Sequence, residues 1–229
     1  LEQAMSNDRE NPWIRLELAQ LYLKEGRVKE ATGLVDGLLI TRPDDPNALY
    51  ASASIAAARQ DYAGALATLE RIPTKSRNAN IVALQRQSWI QAQIAQATRL
   101  AKQGDKAQAI ALLQQVEPLV GNNVNLVATL AAGYVDAGDP QRGMRMMRQV
   151  MAGPNGKDTQ TQLQYASILL KTNQDVEASG VLSELGKRDL APEQRSWYSD
   201  LVFTYSVRQA ETLRERFVGL TQVAAERVR

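Results

Sequence analysis

Carboxylates, lysines and tyrosines must carry any acid–base chemistry in this 229-residue chain, because the sequence contains no histidine and no cysteine. It therefore lacks a Ser-His or thiol nucleophile, a disulfide and nearly every route to a zinc site. Two close carboxylate pairs, Asp44/Asp45 and Glu211/Glu215, would suit general acid and base roles if they were buried. The first lies in a predicted loop and the second on a charged helix face. We therefore expect no catalytic residue, no cofactor and no metal site.

An arginine series is the clearest candidate for binding an anion. Arg142, Arg145 and Arg148 recur every three residues, but Met144 and Met147 mark the other face of this segment as a packing face. The 27 basic and 25 acidic side chains nearly cancel, and the sequence has no glycine-rich phosphate loop. Its apolar runs are also too short for a membrane span. We expect no nucleic-acid partner and no membrane contact by this segment.

An internal repeat indicates which elements position these side chains. Pairs of small residues twelve positions apart occur five times, and an apolar residue follows each pair four positions later. Successive pairs begin 34, 44, 34 and 35 residues apart. The pairs are Ala19/Ala31, Ala53/Ala65, Ala97/Ala109, Ala131/Gly143 and Ala166/Ala178. Small residues at this spacing allow two helices to approach closely, so the pattern predicts helix pairs that stack along the chain.

This spacing is the tetratricopeptide arrangement, a helix-turn-helix unit of about 34 residues. The best matches to its Leu-small-x-x-Tyr segment run from Leu18 to Tyr22 and from Leu130 to Tyr134. The sequence therefore predicts an all-α fold, an α-solenoid of tetratricopeptide repeats in a right-handed superhelix, with a long irregular helix between repeats two and three. The predicted helix pairs are Pro12–Glu25 with Val28–Thr41, Pro46–Arg59 with Tyr62–Ile72, Arg77–Gln103 with Lys106–Leu119, Val124–Ala137 with Pro140–Ala152, and Thr159–Thr172 with Asp175–Gly186.

Turn residues mark where each inner helix must end. Gly26, Gly104 and Gly138 stand seven positions after the first small residue of their units, where a helix C-terminus favours glycine. Gln60 and Asn173 replace that glycine in the second and fifth units.

The chain divides into four predicted segments. They are residues 1–73, a partial repeat plus repeats one and two; residues 74–103, an inserted helix continuous with the inner helix of repeat three; residues 104–192, the rest of repeat three with repeats four and five; and residues 193–229, C-terminal helices that form a cap or a truncated repeat. Leu1–Glu10 carries the register of the outer helix of a preceding unit, so the chain is expected to be excised from a longer array.

The third unit begins ten residues late, and no glycine or proline interrupts residues 74–103. Ten residues rotate the apolar stripe of a helix by about 80° from register. Two interpretations remain open. The insertion is either neutral on the outer surface or a hinge between repeats one–two and repeats three–five.

The C-terminal segment departs from the repeat pattern, because Leu201 and Leu213 stand where small residues are required. We predict a helix over Gln194–Arg208 that packs on repeat five, and a final helix over Gln209–Arg227. Phe217, Leu220 and Val223 would form an apolar stripe on the final helix.

A repeat stack exposes its inner helices along a concave groove. The predicted groove lining is mixed polar and neutral rather than a charged channel. Helical spacing also places apolar and further polar residues on the groove, namely Leu16, Ala57, Ile94, Ala132, Gln160 and Leu163. The candidate binding residues are Trp13, Gln20, Lys24, Asn47, Tyr50, Ser54, Gln91, Thr98, Lys102, Asn125, Asp136 and Lys171.

The groove chemistry favours neutral ligands. Some tetratricopeptide proteins hold peptide C-termini with a Lys/Asn clamp, but Leu16, Gln20, Tyr50 and Ser54 occupy the corresponding positions here. Trp13 and Tyr50 could stack on sugars or on peptide aromatics, although residues at helical spacing more often serve packing. Amide and hydroxyl side chains suit hydrogen bonding to glycans and are equally typical of a solvated face.

Three stretches resemble the periplasmic repeat region of the cellulose synthase operon protein C family, the export subunit of bacterial cellulose secretion. They run from Asn11 to Ala31, from Ala65 to Pro73 and from Gln91 to Ala97, and the likeness covers most of residues 1–216. The resemblance implies a parent protein with a signal peptide, many repeats and a C-terminal outer-membrane barrel outside this chain.

The resemblance also implies a periplasmic scaffold that contacts other subunits of a polysaccharide synthase or export complex, with the glucan chain or peptidoglycan as further candidate partners. Two other hypotheses remain open. One is a cytosolic repeat adaptor that binds a peptide or helix in its groove. The other is a carboxylate-based glycosidase, which needs two inward carboxylates at a defined separation.

Overall fold

The computed structural model describes Asp8 and residues 10–227, with side-chain surroundings for all of these except residue 216 and residues 219–227. The regular structure of this part of the chain is helical, which confirms the all-α prediction. The register predicted for Leu1–Glu10 falls almost wholly outside the described residues.

Eleven α-helices lie within the described residues, and each predicted repeat helix is among them. They are α1 (Pro12–Lys24), α2 (Val28–Thr41), α3 (Pro46–Ala58), α4 (Tyr62–Glu70), α5 (Ala79–Lys102), α6 (Lys106–Val116), α7 (Val124–Asp136), α8 (Pro140–Ala152), α9 (Thr159–Lys171), α10 (Asp175–Leu185) and α11 (Pro192–Arg227). The predicted long helix before repeat three is α5, with 24 residues against 13 in α1.

Capping side chains fix where several helices begin. The Asn11 side chain accepts hydrogen bonds from two backbone N–H groups at the start of α1, and Asp45 does the same for α3. Asp139 caps α8 through one such bond. A proline follows each of these caps, at the helix position where the missing N–H costs nothing.

All five units make the same left-handed turn after their inner helix. The backbone φ is +75° at Gly26, and it is also positive at Gly104 and Gly138. Gln60 and Asn173 reach φ values of 64° and 58° without being glycine. Glycine adopts this conformation freely, whereas a residue such as glutamine pays roughly 1 kcal/mol for it. The second and fifth units therefore keep the turn geometry although they lack the glycine of the motif.

The chain forms two compact units. The first unit comprises the described residues up to Arg99 together with Leu112–Val120, and the second comprises Leu100–Ala111 and the described residues from Gly121 onward. This boundary lies within repeat three. The four-segment division and the hinge remain predictions.

The first unit is held by helix pairs packed through small residues. Helix α1 packs on α2 and α3, and α3 packs on α4. Ala19, Ala31, Ala53 and Ala65 are completely buried at these crossings. Larger side chains such as Leu38 fill the space between the pairs, and each fully buried leucine contributes about 1.5–3 kcal/mol of hydrophobic free energy.

The second unit has a close helix crossing between α7 and α8. A Cβ atom placed on Gly143 would lie 2.5 Å from the backbone oxygen of Ala131, so any larger residue there would force the two helices to shift. Tyr134, on the same helix as Ala131, is completely buried. Helices α9 and α10 continue the core of this unit.

The C-terminal prediction was partly wrong, because α11 is one helix of 36 residues rather than two. No glycine or proline occurs between Pro192 and Gly219, so nothing ends the helix at Arg208. The predicted packing on repeat five is present, since α11 packs on α9 and α10. The Arg208 guanidinium donates to the Leu170 carbonyl oxygen at 2.6 Å and to the Asp175 carboxylate at 2.8 Å.

The predicted apolar stripe on α11 is described at only one of its positions. Phe217 is 69% exposed, whereas the side chains of Leu220 and Val223 lie outside the described residues. None of the described helices combines the length and the apolar character that crossing a membrane requires.

Candidate functional site

The first unit contains an open cavity of about 330 Å³. Its lining comes from four helices of this unit or their ends. The lining residues are Gln20, Tyr50, Ser54, Ala57, Ala58, Tyr62, Leu84, Gln87, Ser88 and Gln91. This volume is at the small end of the range of roughly 300–1,000 Å³ that is typical of ligand pockets.

Helical periodicity explains why these residues share one cavity. Tyr50 and Ser54 are one turn apart on α3, and Ser88 and Gln91 are one turn apart on α5. Residues three or four positions apart lie on the same helix face. Gln20 on α1 and Tyr62 at the start of α4 complete the lining.

The cavity is electrically neutral. Its lining holds no Asp, Glu, Lys or Arg, and its only ionisable groups are the phenols of Tyr50 and Tyr62. Partial burial raises the pKa of the Tyr62 hydroxyl above its ordinary value. This phenol therefore stays protonated and able to donate a hydrogen bond at neutral pH.

An aromatic pair adjoins the cavity. The ring centroids of Trp13 and Tyr50 lie 5.7 Å apart with an interplanar angle of 50°. Trp13 remains 46% exposed, so part of the indole is available to a ligand. Such a pair offers an apolar aromatic surface with polar groups at its edge beside the neutral lining.

Ser88 is the one lining residue whose polar group is fully buried and unsatisfied within the described structure. Its side chain is 1% exposed, and its Oγ atom has no hydrogen-bond partner. Other hydroxyls on helices of this unit bond to the carbonyl oxygen four residues earlier, as Ser54 does with Tyr50 at 2.8 Å and Thr98 with Ile94 at 3.1 Å. Ser88 is thus a lining residue whose buried hydroxyl is left without a hydrogen bond in the described structure.

Five of the candidate binding residues on the first three inner helices are at or beside this cavity. Gln20, Tyr50, Ser54 and Gln91 line it, and Trp13 contacts Tyr50. The others do not line it: Lys24 and Asn47 are exposed, Thr98 bonds to the Ile94 carbonyl oxygen, and Lys102 is exposed and belongs to the second unit.

The candidate binding residues on α7 and α9 of the second unit, Asn125, Asp136 and Lys171, bond to polar groups of their own unit. The Lys171 ammonium lies 2.8 Å from the Asp136 carboxylate, and Gln164 Nε2 donates to the Asn125 side-chain oxygen at 3.0 Å. Both contacts join α7 to α9. These side chains therefore connect neighbouring repeats.

Three apolar residues predicted to face the groove are instead in the core. Leu16, Ile94 and Leu163 are at most 5% exposed, so their placement in the groove was wrong. Leu16 packs with the small residues of α1 and α2, and Leu163 packs with α9 neighbours such as Ala166. Apolar side chains at these positions gain more free energy from burial than from lining a wet groove.

The predicted groove residues did not include five residues of the lining: Ala58, Tyr62, Leu84, Gln87 and Ser88. The ten-residue insertion removed the repeat register that would have placed the α5 residues. Tyr62 was assigned to an outer helix, whose first residue nevertheless reaches the cavity. The available signal was the helical spacing itself, because Leu84, Gln87 and Ser88 precede Gln91 by seven, four and three positions.

Acid–base and metal chemistry find no support in the part of the chain that the structure describes. No group of three potential metal-ligating side chains occurs there. Of the two carboxylate pairs, Asp45 caps α3, and Glu211 and Glu215 are exposed on α11. The arrangement of the cavity suits binding through hydrogen bonds and aromatic contact.

Comparison with known families identifies the repeats. Two family models described as tetratricopeptide repeat match residues 1–55 and residues 90–115. Together with the buried small-residue pairs and the five equivalent turns, these matches confirm the repeat prediction.

Curated relatives extend the similarity to most of the chain. Cellulose synthase operon protein C of Pseudomonas fluorescens (strain SBW25) is 40% identical over 93% of this chain and 17% of its own length. The protein of the same name from Xanthomonas axonopodis pv. citri (strain 306) is 38% identical over 94% of this chain and 14% of its own length. The chain thus spans about a sixth of the curated relatives that it matches.

Solved structures support the fold alone. A tetratricopeptide repeat protein from Parabacteroides merdae superposes with a TM-score of 0.61 at 17% identity, covering 90% of this chain and 75% of that one. A thermophilic tetratricopeptide protein of Thermus thermophilus gives 0.57 at 18% identity, covering 84% and 100%. The chain carries tetratricopeptide repeats and resembles, over most of its length, a segment of cellulose synthase operon protein C.

Proposed function

We propose that this chain is a non-catalytic scaffold segment of a bacterial system that exports cellulose or a related exopolysaccharide. The observation that carries the proposal is the similarity to proteins named cellulose synthase operon protein C, which extends over 93% of the chain. Stacked helical repeats expose extended surfaces suited to protein partners. The segment contacts other subunits of the synthase or export complex and guides the glucan toward an outer-membrane pore.

The chemistry of the described residues supports binding without catalysis. Hydrolysis of a glycosidic bond uses a pair of carboxylates about 5–10 Å apart on either side of the bond. The cavity of the first unit has no carboxylate in its lining, and the Asp136 carboxylate in the second unit is paired with Lys171. A neutral cavity can hold a neutral polymer without cutting it.

Deletion of the encoding gene tests the role in export. Cells that lack it should secrete little cellulose, while membrane vesicles from the same cells should polymerise glucan at the normal rate. Restoring the gene should restore secretion. Normal secretion by the deletion strain would exclude a role in export, and loss of polymerisation in vesicles would indicate a part in synthesis instead.

Cell fractionation tests the site of action. Periplasmic location would place the chain where a glucan leaves the inner membrane, and proteins cross-linked to it there should include synthase or export subunits. Recovery of the chain in the cytosol would replace the proposal with a cytosolic adaptor that binds a peptide or helix.

A further inference from the structure

We propose that the cavity of the first unit is a binding subsite for a short segment of a neutral β-linked glucan, with Ser88, Gln91 and Tyr50 as its principal hydrogen-bonding contacts. The choice of a glucan rests on the proposed function. The location and the neutral, hydroxyl-rich chemistry of the ligand rest on the cavity itself.

The lining matches the hydrogen-bonding character of a sugar. Each hydroxyl of a sugar both donates and accepts, and so do serine, glutamine and tyrosine side chains. Gln20, Gln87 and Gln91 supply amides, and Ser54 and Ser88 supply hydroxyls. The lining contains no side chain with a full charge at neutral pH that would require a charged ligand group to pair with it.

Ser88 contributes a hydroxyl group that is not already used in a hydrogen bond within the described part of the protein. A buried hydroxyl without a partner costs free energy that a ligand hydroxyl would recover. The side chain is 1% exposed, it lines the cavity, and it does not form the bond to the preceding turn that Ser54 and Thr98 form. Because Oγ has almost no accessible surface, a sugar hydroxyl in the cavity would satisfy it after rotation of the Ser88 side chain toward the cavity.

The aromatic pair supplies the apolar half of sugar recognition. A pyranose ring presents a face of C–H groups that packs on an aromatic ring. Tyr50 lies in the lining, and the half-exposed Trp13 lies 5.7 Å from it, centroid to centroid. The small volume of the cavity limits the ligand to a short segment of the polymer at this point.

Calorimetric titration of the full chain with cellohexaose tests the subsite. Maltohexaose is the matched ligand control, because it has the same composition with α-linkages. We expect cellohexaose to bind more tightly than maltohexaose. No binding of cellohexaose, or equal binding of both ligands, would overturn the proposal.

Matched variants locate the subsite. Ser88→Ala and Gln91→Ala should each weaken cellohexaose binding about three- to tenfold through the loss of one hydrogen bond. Ser52→Ala on α3 and Gln93→Ala on α5 are the controls, because they change the same residue types on inner helices of this unit outside the lining. Equal affinity in all four variants would overturn this location.

Stability separates a binding role of Ser88 from a structural one. Because Ser88 Oγ has no hydrogen-bond partner in the protein, Ser88→Ala should leave the midpoint of thermal unfolding unchanged or raise it. A lower midpoint together with weaker binding would overturn the assignment of Ser88 as a ligand contact.

The outcome also separates this subsite from the proposed function. Loss of secretion in the deletion strain with no cellohexaose binding would retain the scaffold and overturn the subsite. Cellohexaose binding that depends on Ser88, together with normal secretion in the deletion strain, would retain the subsite and overturn the export role. Displacement of bound cellohexaose by an uncharged linear peptide of higher affinity would overturn the glucan assignment in favour of a peptide groove.

Discussion

In the first unit, Gln20, Tyr50 and Gln91 line an open cavity, whereas in the second unit Asn125 and Asp136 bond to side chains of the neighbouring inner helix. All five residues come from the same repeat architecture and were predicted to share one role. The difference shows that the polar face of an inner helix can serve either a ligand or the adjacent repeat. The repeat pattern alone does not distinguish these uses.

Two helix glycines, one in each unit, have opposite surroundings. At Gly143 the second unit brings α7 and α8 so close that a methyl group would meet backbone, while a Cβ added at Gly33 on α2 of the first unit would meet nothing within 4 Å. Gly143 lies at a helix crossing, whereas Gly33 lies on the exposed face of its helix.

Substitution of alanine for these two glycines should change the free energy of unfolding in opposite directions. This pair of variants gives the largest expected effect. Gly143→Ala should lower the free energy of unfolding by about 1–3 kcal/mol, because the new methyl meets the Ala131 carbonyl oxygen. Gly33→Ala should raise it by about 0.5–1 kcal/mol through better helix propensity. Amide hydrogen exchange in α7 and α8 for the first variant, and in α2 for the second, measures both. Stabilisation by Gly143→Ala would contradict the close approach.

Removing one tyrosine hydroxyl in each unit should separate stability from binding. The Tyr165 hydroxyl donates to Glu177, which also pairs with Arg148 at 3.0 Å, so Tyr165→Phe should cost about 1 kcal/mol of stability. The Tyr50 hydroxyl forms no hydrogen bond among the described residues, so Tyr50→Phe should leave stability unchanged.

Cellohexaose affinity should show the reverse order. Tyr50→Phe should weaken binding about threefold or more, and Tyr165→Phe should leave it unchanged. Urea denaturation and calorimetric titration of both variants give the four values. A stability loss in Tyr50→Phe equal to that in Tyr165→Phe would remove the distinction between the two units.

The smallest expected effect concerns the ion pair of the second unit. Lys171 and Asp136 are 43% and 32% exposed, so solvent screens their attraction strongly. A double-mutant cycle with Lys171→Met and Asp136→Asn should give a coupling of about 0.2–1 kcal/mol that falls as salt is raised to about 1 M. A coupling that salt leaves unchanged would mean that the pair is more shielded than its exposure indicates.

The sequence was sufficient to predict the repeat helices, because small residues at twelve-residue spacing and turn residues such as Gly26 act locally. It was not sufficient for the cavity. The ten-residue insertion lies largely within α5 and breaks the repeat register there, so the repeat pattern did not assign Ser88 to the groove. Only its spacing of three residues from Gln91 on one helix indicated a shared face. The predicted helix end at Arg208 was wrong, because no glycine, proline or other helix-ending residue stands there and the helix continues.

The turn at Gln60 connects α3, whose last residues Ala57 and Ala58 line the cavity, to α4, whose first residue Tyr62 also lines it. Its φ of 64° holds a glutamine in a conformation that glycine would adopt without cost. The strain is thus located at the rim of the proposed subsite. Gln60→Gly would relax the native turn but give the rim more freedom in the unbound state. A substitution at this position should therefore change both the thermal stability of the turn and the preorganisation of the ligand site.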